Sequence, residues 1–97
     1  MKLRLTPRAT ANIVEIAEYI RQRNPSAAQR VRSSIYDGLQ SIMLFPLVGR
    51  QQKQRGVRKL VTPRYAYLVY YLFDETEQEI IVLSVKHSAQ KREHDDG

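Results

Sequence analysis

The sequence predicts an α+β domain of two layers, β-α-α-β-β-β, with an N-terminal helical hairpin packed on one face of a small antiparallel sheet. Three observations carry that expectation. Two amphipathic stretches follow one another almost without a loop, each opened by its own start signal, Thr6-Pro7 and Asn24-Pro25. The segment from Val57 to His87 reads as three strands separated by turns. The middle strand is apolar on both faces, so it belongs inside the sheet.

Lys2 to Leu5 is a short strand candidate. Thr6 then caps the first helix and Pro7 suits its first position. Ile13, Ile16, Ala17 and Ile20 make one apolar stripe at three- and four-residue spacing. Arg21, Gln22 and Arg23 close that helix, with cations where its dipole favours them. The second helix carries Ala28, Val31, Ile35, Leu39 and Ile42 on its stripe and ends near Phe45-Pro46. Gly38 lies inside it at a cost of about 1 kcal/mol relative to alanine. The two helices make a tightly connected antiparallel hairpin.

Pro46 to Gly56 is polar, basic and glycine-bracketed, and reads as the loop from helices to sheet. The second strand is Val57 to Thr62, and Pro63-Arg64 turns into the central strand, Tyr65 to Phe73. There Tyr65, Tyr67, Val69, Tyr71 and Phe73 alternate with Ala66, Leu68, Tyr70 and Leu72. An acidic turn, Asp74 to Gln78, leads into the last strand, Glu79 to Lys86. Its period places Ile80 and Val82 on one face and Ile81, Leu83 and Val85 on the other. The pattern leaves open which set meets the helices. Two helices cover only one face, so the other is expected to stay open for a partner. Each large side chain left wet there forgoes about 1.5–3 kcal/mol.

With 97 residues and 42% apolar content, the chain has room for one domain, residues 1–97, with a disordered tail expected from about residue 93. Absence of cysteine excludes disulfide staples and thiolate metal sites. MKLRLTPRAT turns polar before any signal-peptide core develops, and no apolar run approaches the ~18 residues of a membrane span. A cytoplasmic protein without cofactor or metal is the expectation. The net charge is +6, and its distribution is more informative. No acidic residue lies between Asp37 and Asp74, whereas Arg50, Lys53, Arg55, Arg58, Lys59 and Arg64 all do. Such a one-sided positive field attracts nucleic acid or an acidic protein surface.

No motif of high catalytic specificity is present. His87 ends the last strand beside Lys86, while His94 sits in the polar tail. A histidine among cations suits phosphodiester cleavage in RNA, which needs proton transfer and positive charge on the phosphate. A hydrogen-bonding role at the sheet's end is the plainer reading of His87. Four of the six tyrosines fall in residues 65–71, where core packing outweighs base stacking as their explanation.

The blocks LTPRATANIVEIAEYI, NPSAAQRVRSSI, LFPLVGR, VRKLV, YLVYY and VKHSAQKRE, in that order, resemble the ParE/RelE superfamily of type II toxin–antitoxin toxins. The start of the second helix, the FP-x-x-GR loop and VKHSAQ look closer to ParE than to RelE. RelE-type toxins place an arginine before the L-V-Y of the central strand, where this chain has Tyr67, and a tyrosine after the last basic cluster. The resemblance implies a toxin that binds a macromolecular target, DNA gyrase first, and is neutralised by an antitoxin's extended or helical C-terminal segment. The antitoxin or target would meet Arg50, Arg58, Lys59, Arg64, Tyr67, Lys86 and His87. The alternatives are a RelE-type, ribosome-dependent mRNA endoribonuclease, using His87, Arg58, Lys59 and Arg92, and an inactive toxin-like interaction module.

Overall fold

The computed structural model describes residues 1–88. The elements are β1 (Lys2–Leu5), α1 (Pro7–Arg23), α2 (Pro25–Leu44), β2 (Arg50–Gln51), β3 (Val57–Val61), β4 (Tyr67–Asp74) and β5 (Glu79–His87). The two helices pack on a five-stranded sheet of order β1-β5-β4-β3-β2. Three features refine the expected architecture. The sheet is mixed, because β1 runs parallel to β5 while the other pairings are antiparallel. The loop before β3 contributes a two-residue edge strand, β2. The central strand starts at Tyr67 instead of Tyr65, because Thr62 stabilises a turn there. Its hydroxyl donates to Tyr65 O at 2.6 Å and accepts the Tyr67 amide at 3.1 Å. The tail expected to fray from about residue 93 lies outside the described residues, as do Arg92 and His94.

Capping works as the sequence anticipates. The Thr6 hydroxyl accepts the Ala9 amide at 3.1 Å, and Pro7 fills the first helical position. Asn24 serves both helices: its amide donates to Ile20 O at the end of α1, and its side chain accepts the Ala27 amide at the start of α2. One residue thereby satisfies two sets of helix-end groups, which allows the hairpin to be this tight. At Gly38 a Cβ would stand 3.1 Å from Thr62 and 3.4 Å from Leu60, so the glycine lets α2 approach β3.

The principal core joins Ala9, Val31, Ile35, Leu39 and Ile42 of the helices to Tyr67, Val69 and Tyr71 of β4 and to Ile80, Val82 and Val85 of β5. The odd-numbered set of β4 therefore meets the helices. Val85 corrects the period drawn from sequence. Tyr71 pairs with Val82 but Tyr70 pairs with Ser84, so Leu83 is an extra residue in β5 and the alternation reverses beyond it. The start of α1 serves the backbone around this bulge. Thr6 donates its hydroxyl to Leu83 O at 2.9 Å, and the Asn12 side chain accepts the Val85 amide at 3.0 Å.

The second correction concerns the far face of the sheet, expected to stand open. Val57, Leu68 and Tyr70 form a second buried cluster there, with Leu72 and Leu83 packed against it, and Tyr70 is 0% exposed. Two physical reasons are visible. The loop of residues 52–56 folds along this face, with Gln52 buried and Gly56 beside Leu72. Lys59 pairs with Tyr70 and Lys86 with Leu68, and both lysines are half-buried, laying aliphatic stems beside the apolar groups.

Candidate functional site

Residues directly opposite in paired strands share a face, and this rule separates the cations expected to act together. Arg50, Lys59, Tyr70 and Ser84 lie in one row across β2 to β5, on the face away from the helices. Lys86 joins them there through its pairing with Leu68. Arg58 pairs with Tyr71 and faces the helix side. His87 pairs with Tyr67 at the sheet's end, their rings meeting edge to face with centroids 5.2 Å apart. Arg64 occupies the turn between β3 and β4 at φ 74°, a left-handed conformation costing about 1–2 kcal/mol in a non-glycine residue. The fold thus brings Arg50, Lys59 and Lys86 to one face and sends Arg58, Tyr67 and His87 to the other.

Arg58 has a specific structural task. One guanidinium nitrogen donates to Gly49 O at 2.8 Å and to Leu47 O at 3.2 Å. The segment it holds is the turn between α2 and β2. Pro46 disfavours helical geometry in Phe45, which ends α2 with its amide on Ser41 O. The Val48 amide then donates to Phe45 O at 2.9 Å and closes the turn. From the sheet beneath, the Tyr71 hydroxyl accepts the Gly49 amide at 2.8 Å and donates to Pro46 O at 2.8 Å. Two side chains of the sheet therefore bind four backbone groups of one turn.

The electrostatics follow from this placement. Burial pushes the Tyr71 phenol above its ordinary pKa, while the Gly49 amide and the positive charge of Arg58 pull it part of the way back. Burial alone raises that of Tyr67. Both side chains stay protonated at neutral pH, so Tyr71 keeps its proton for Pro46 O.

The consequence is an apolar projection that the sequence reading passed over as a helix end and a polar loop. Leu44, Phe45, Leu47 and Val48 are 72%, 65%, 63% and 48% exposed. A signal was available: LFPLV is five apolar residues, and Leu44 falls off the α2 stripe that ends at Ile42. Among the described residues no three His, Cys, Asp or Glu side chains gather as a metal site, and no helix is long and apolar enough to cross a membrane.

Comparison with known proteins gives this geometry a context. Residues 3–92 match the family described as the ParE toxin of the type II toxin–antitoxin system parDE. The chain is similar to the Sinorhizobium fredii protein named "Putative toxin Y4kP", at 29% identity over 90 residues, 93% of this chain and 91% of that protein. Its fold resembles a chain of the chromosomal ParDE system of P. aeruginosa, with a TM-score of 0.77 at 21% identity over 90% of this chain and 95% of that one. The E. coli RelBE complex aligns with a TM-score of 0.59 at 12% identity, over 92% of this chain and 98% of the other. The RelBE2 complex of Mycobacterium tuberculosis gives 0.61 at 19%, over 89% and 95%. At these identities the structural likenesses establish a shared fold.

Proposed function

The chain belongs to the ParE toxin family of type II toxin–antitoxin systems, and from that premise we propose that it arrests growth by binding DNA gyrase in the cytoplasm and is silenced by a cognate antitoxin. The observation that carries this reading is the family match across residues 3–92, nearly the whole chain.

The site geometry supports a binding toxin over a ribonuclease. Cleaving RNA asks a proton carrier and cations to converge on one phosphate. Arg58 instead holds Leu47 O and Gly49 O, and Lys59 lies on the opposite face of the same strand. His87 stands against the Tyr67 ring at the end of the sheet.

The test is induction of the chain without its antitoxin, together with a supercoiling assay on purified gyrase. Growth arrest with an SOS response, and loss of supercoiling in vitro, are the expected results. Codon-aligned breaks in cellular mRNA with undamaged DNA would replace this reading with the RelE-type one. Restoration of growth by a co-expressed neighbouring gene product identifies the antitoxin.

A further inference from the structure

Arg64 is held in a backbone conformation that costs free energy, although its side chain does nothing for the fold. Its φ is 74°, and the Tyr65 amide donates to Pro63 O at 2.9 Å. Arg64 therefore stands at the centre of a γ-turn of positive φ, the rare and strained form of that turn. Glycine adopts such a φ freely, whereas a residue with a Cβ does not.

The neighbours enforce the strain. The Ser34 hydroxyl donates to Pro63 O at 2.7 Å, the Thr62 hydroxyl to Tyr65 O at 2.6 Å, and Arg30 Nε to the Tyr65 hydroxyl at 3.0 Å. The Arg64 guanidinium is exposed and makes no hydrogen bond or ion pair among the described residues. Strain kept at a residue whose side chain has no structural task points to a task outside the fold.

The chemistry of the place selects the ligand. α2 reaches the turn through Arg30 and Ser34, and the end of β5 reaches it through the Ser88 amide, which donates to Ala66 O at 3.0 Å. The segments that meet here, residues 19–36, 57–73 and 80–88, contain no Asp or Glu. Guanidinium forks match the oxygens of a phosphate. A protein surface would need an apolar anchor, and none of residues 62–66 exposes a large apolar side chain. Tyr65 packs against the principal core and gives its hydroxyl to Arg30.

We infer that Arg64, with Arg30 beside it, is a contact for the phosphate backbone of double-stranded DNA. Such a contact responds to charge and not to base sequence. The phosphate chemistry stands on the turn itself, while the choice of DNA as the polymer rests on the gyrase reading above.

The experiment measures binding of the full chain to a labelled, mixed-sequence DNA duplex over a series of salt concentrations, with the Tm of each variant read alongside. Wild-type affinity should fall steeply with salt. Arg64→Gly removes the strain together with the cation, so its Tm should rise by about 4 °C. Its affinity should drop about 10-fold at low salt, and the slope of log affinity against log salt should lose about one unit. Arg64→Lys keeps both charge and strain and should retain the wild-type Tm and most of the affinity.

An Arg64→Gly chain that melts higher yet binds the duplex as the wild type does overturns the assignment, and so does a wild-type chain that does not bind it. An Arg64→Gly chain that melts lower removes the strained turn from which the assignment starts. Tighter binding to single-stranded RNA than to the duplex, with the same dependence on Arg64, would give the site to RNA. Arg64-dependent binding of gyrase free of DNA, with duplex binding indifferent to Arg64, would give it to a protein carboxylate. Arg64-dependent duplex binding without inhibition of supercoiling upholds this assignment and removes the gyrase reading instead.

Discussion

The hydroxyl of Tyr71, at the middle of the central strand, accepts the Gly49 amide at 2.8 Å across 22 residues of sequence. It returns its own proton to Pro46 O at the same distance, so one phenol joins the sheet to the turn that ends α2. The contact depends on glycine, because a Cβ at position 49 would fall 2.7 Å from both a ring carbon and the hydroxyl of Tyr71.

Gly49→Ala is therefore expected to destabilise the protein by about 2 kcal/mol. Tyr71 is fully buried and has no room to swing away, so the added methyl acts as overpacking and disturbs both hydrogen bonds. Urea denaturation measures this, and a loss below about 0.5 kcal/mol, the range of an ordinary surface substitution, would contradict the close contact.

Thr6 links the start of α1 to the bulge of β5 through a donated bond to Leu83 O and an accepted one from the Ala9 amide. Thr6→Ala should cost about 1–2 kcal/mol, while Thr6→Ser, which keeps the hydroxyl, should recover most of that. Equal losses in the two variants would mean that the methyl group, and not the hydrogen bonds, matters.

The bulge, by turning Val85 towards the helices, makes a further prediction. Val85 is buried in the principal core, whereas Val61 is half exposed on β3. Val85→Ala should lower stability by about 2 kcal/mol and Val61→Ala by less than about 0.5 kcal/mol. Comparable effects in the two variants would contradict the burial of Val85 in the principal core.

Alkaline stability tests the buried phenols. In the folded chain Tyr71 and Tyr67 hold their protons above the ordinary value of 10.0, so the native state binds those protons more tightly than the unfolded one. Their contribution is complete below the unfolded pKa and is lost as pH rises through the folded one. Stability should thus fall as pH climbs above about 10, and less steeply in Tyr71→Phe. A Tyr71→Phe protein with the full alkaline slope would assign the effect to other groups.

Both helices, their caps and the last three strands were legible because each is declared locally. Thr6-Pro7 and Asn24-Pro25 carry their start signals in adjacent residues, and the stripe from Val31 to Ile42 repeats within one helix. The parallel pairing of β1 with β5 was not legible, since four residues of strand say nothing about a partner 77 positions away. Val85 lies on the face opposite to the one its spacing suggests, because the extra residue in β5 leaves no mark in composition. The candidate cations were legible as residues but not as a group. Whether Arg58 and Lys59 share a face follows from strand alternation, but which face meets the helices follows only from packing.

The α+β class, the hairpin, the acid-free basic stretch and the likeness to the ParE/RelE toxins are all legible along the chain. These are written in spacing, capping and charge, which act over a few residues. Tertiary structure decided that the far face of the sheet is buried at Leu68 and Tyr70, and that the open apolar surface lies instead at Leu44 to Val48. The physical reason is that exposure belongs to no residue alone. It depends on which distant groups arrive: the 52–56 loop and the lysine stems cover one face, while Tyr71 and Arg58 hold the other apolar run out in water.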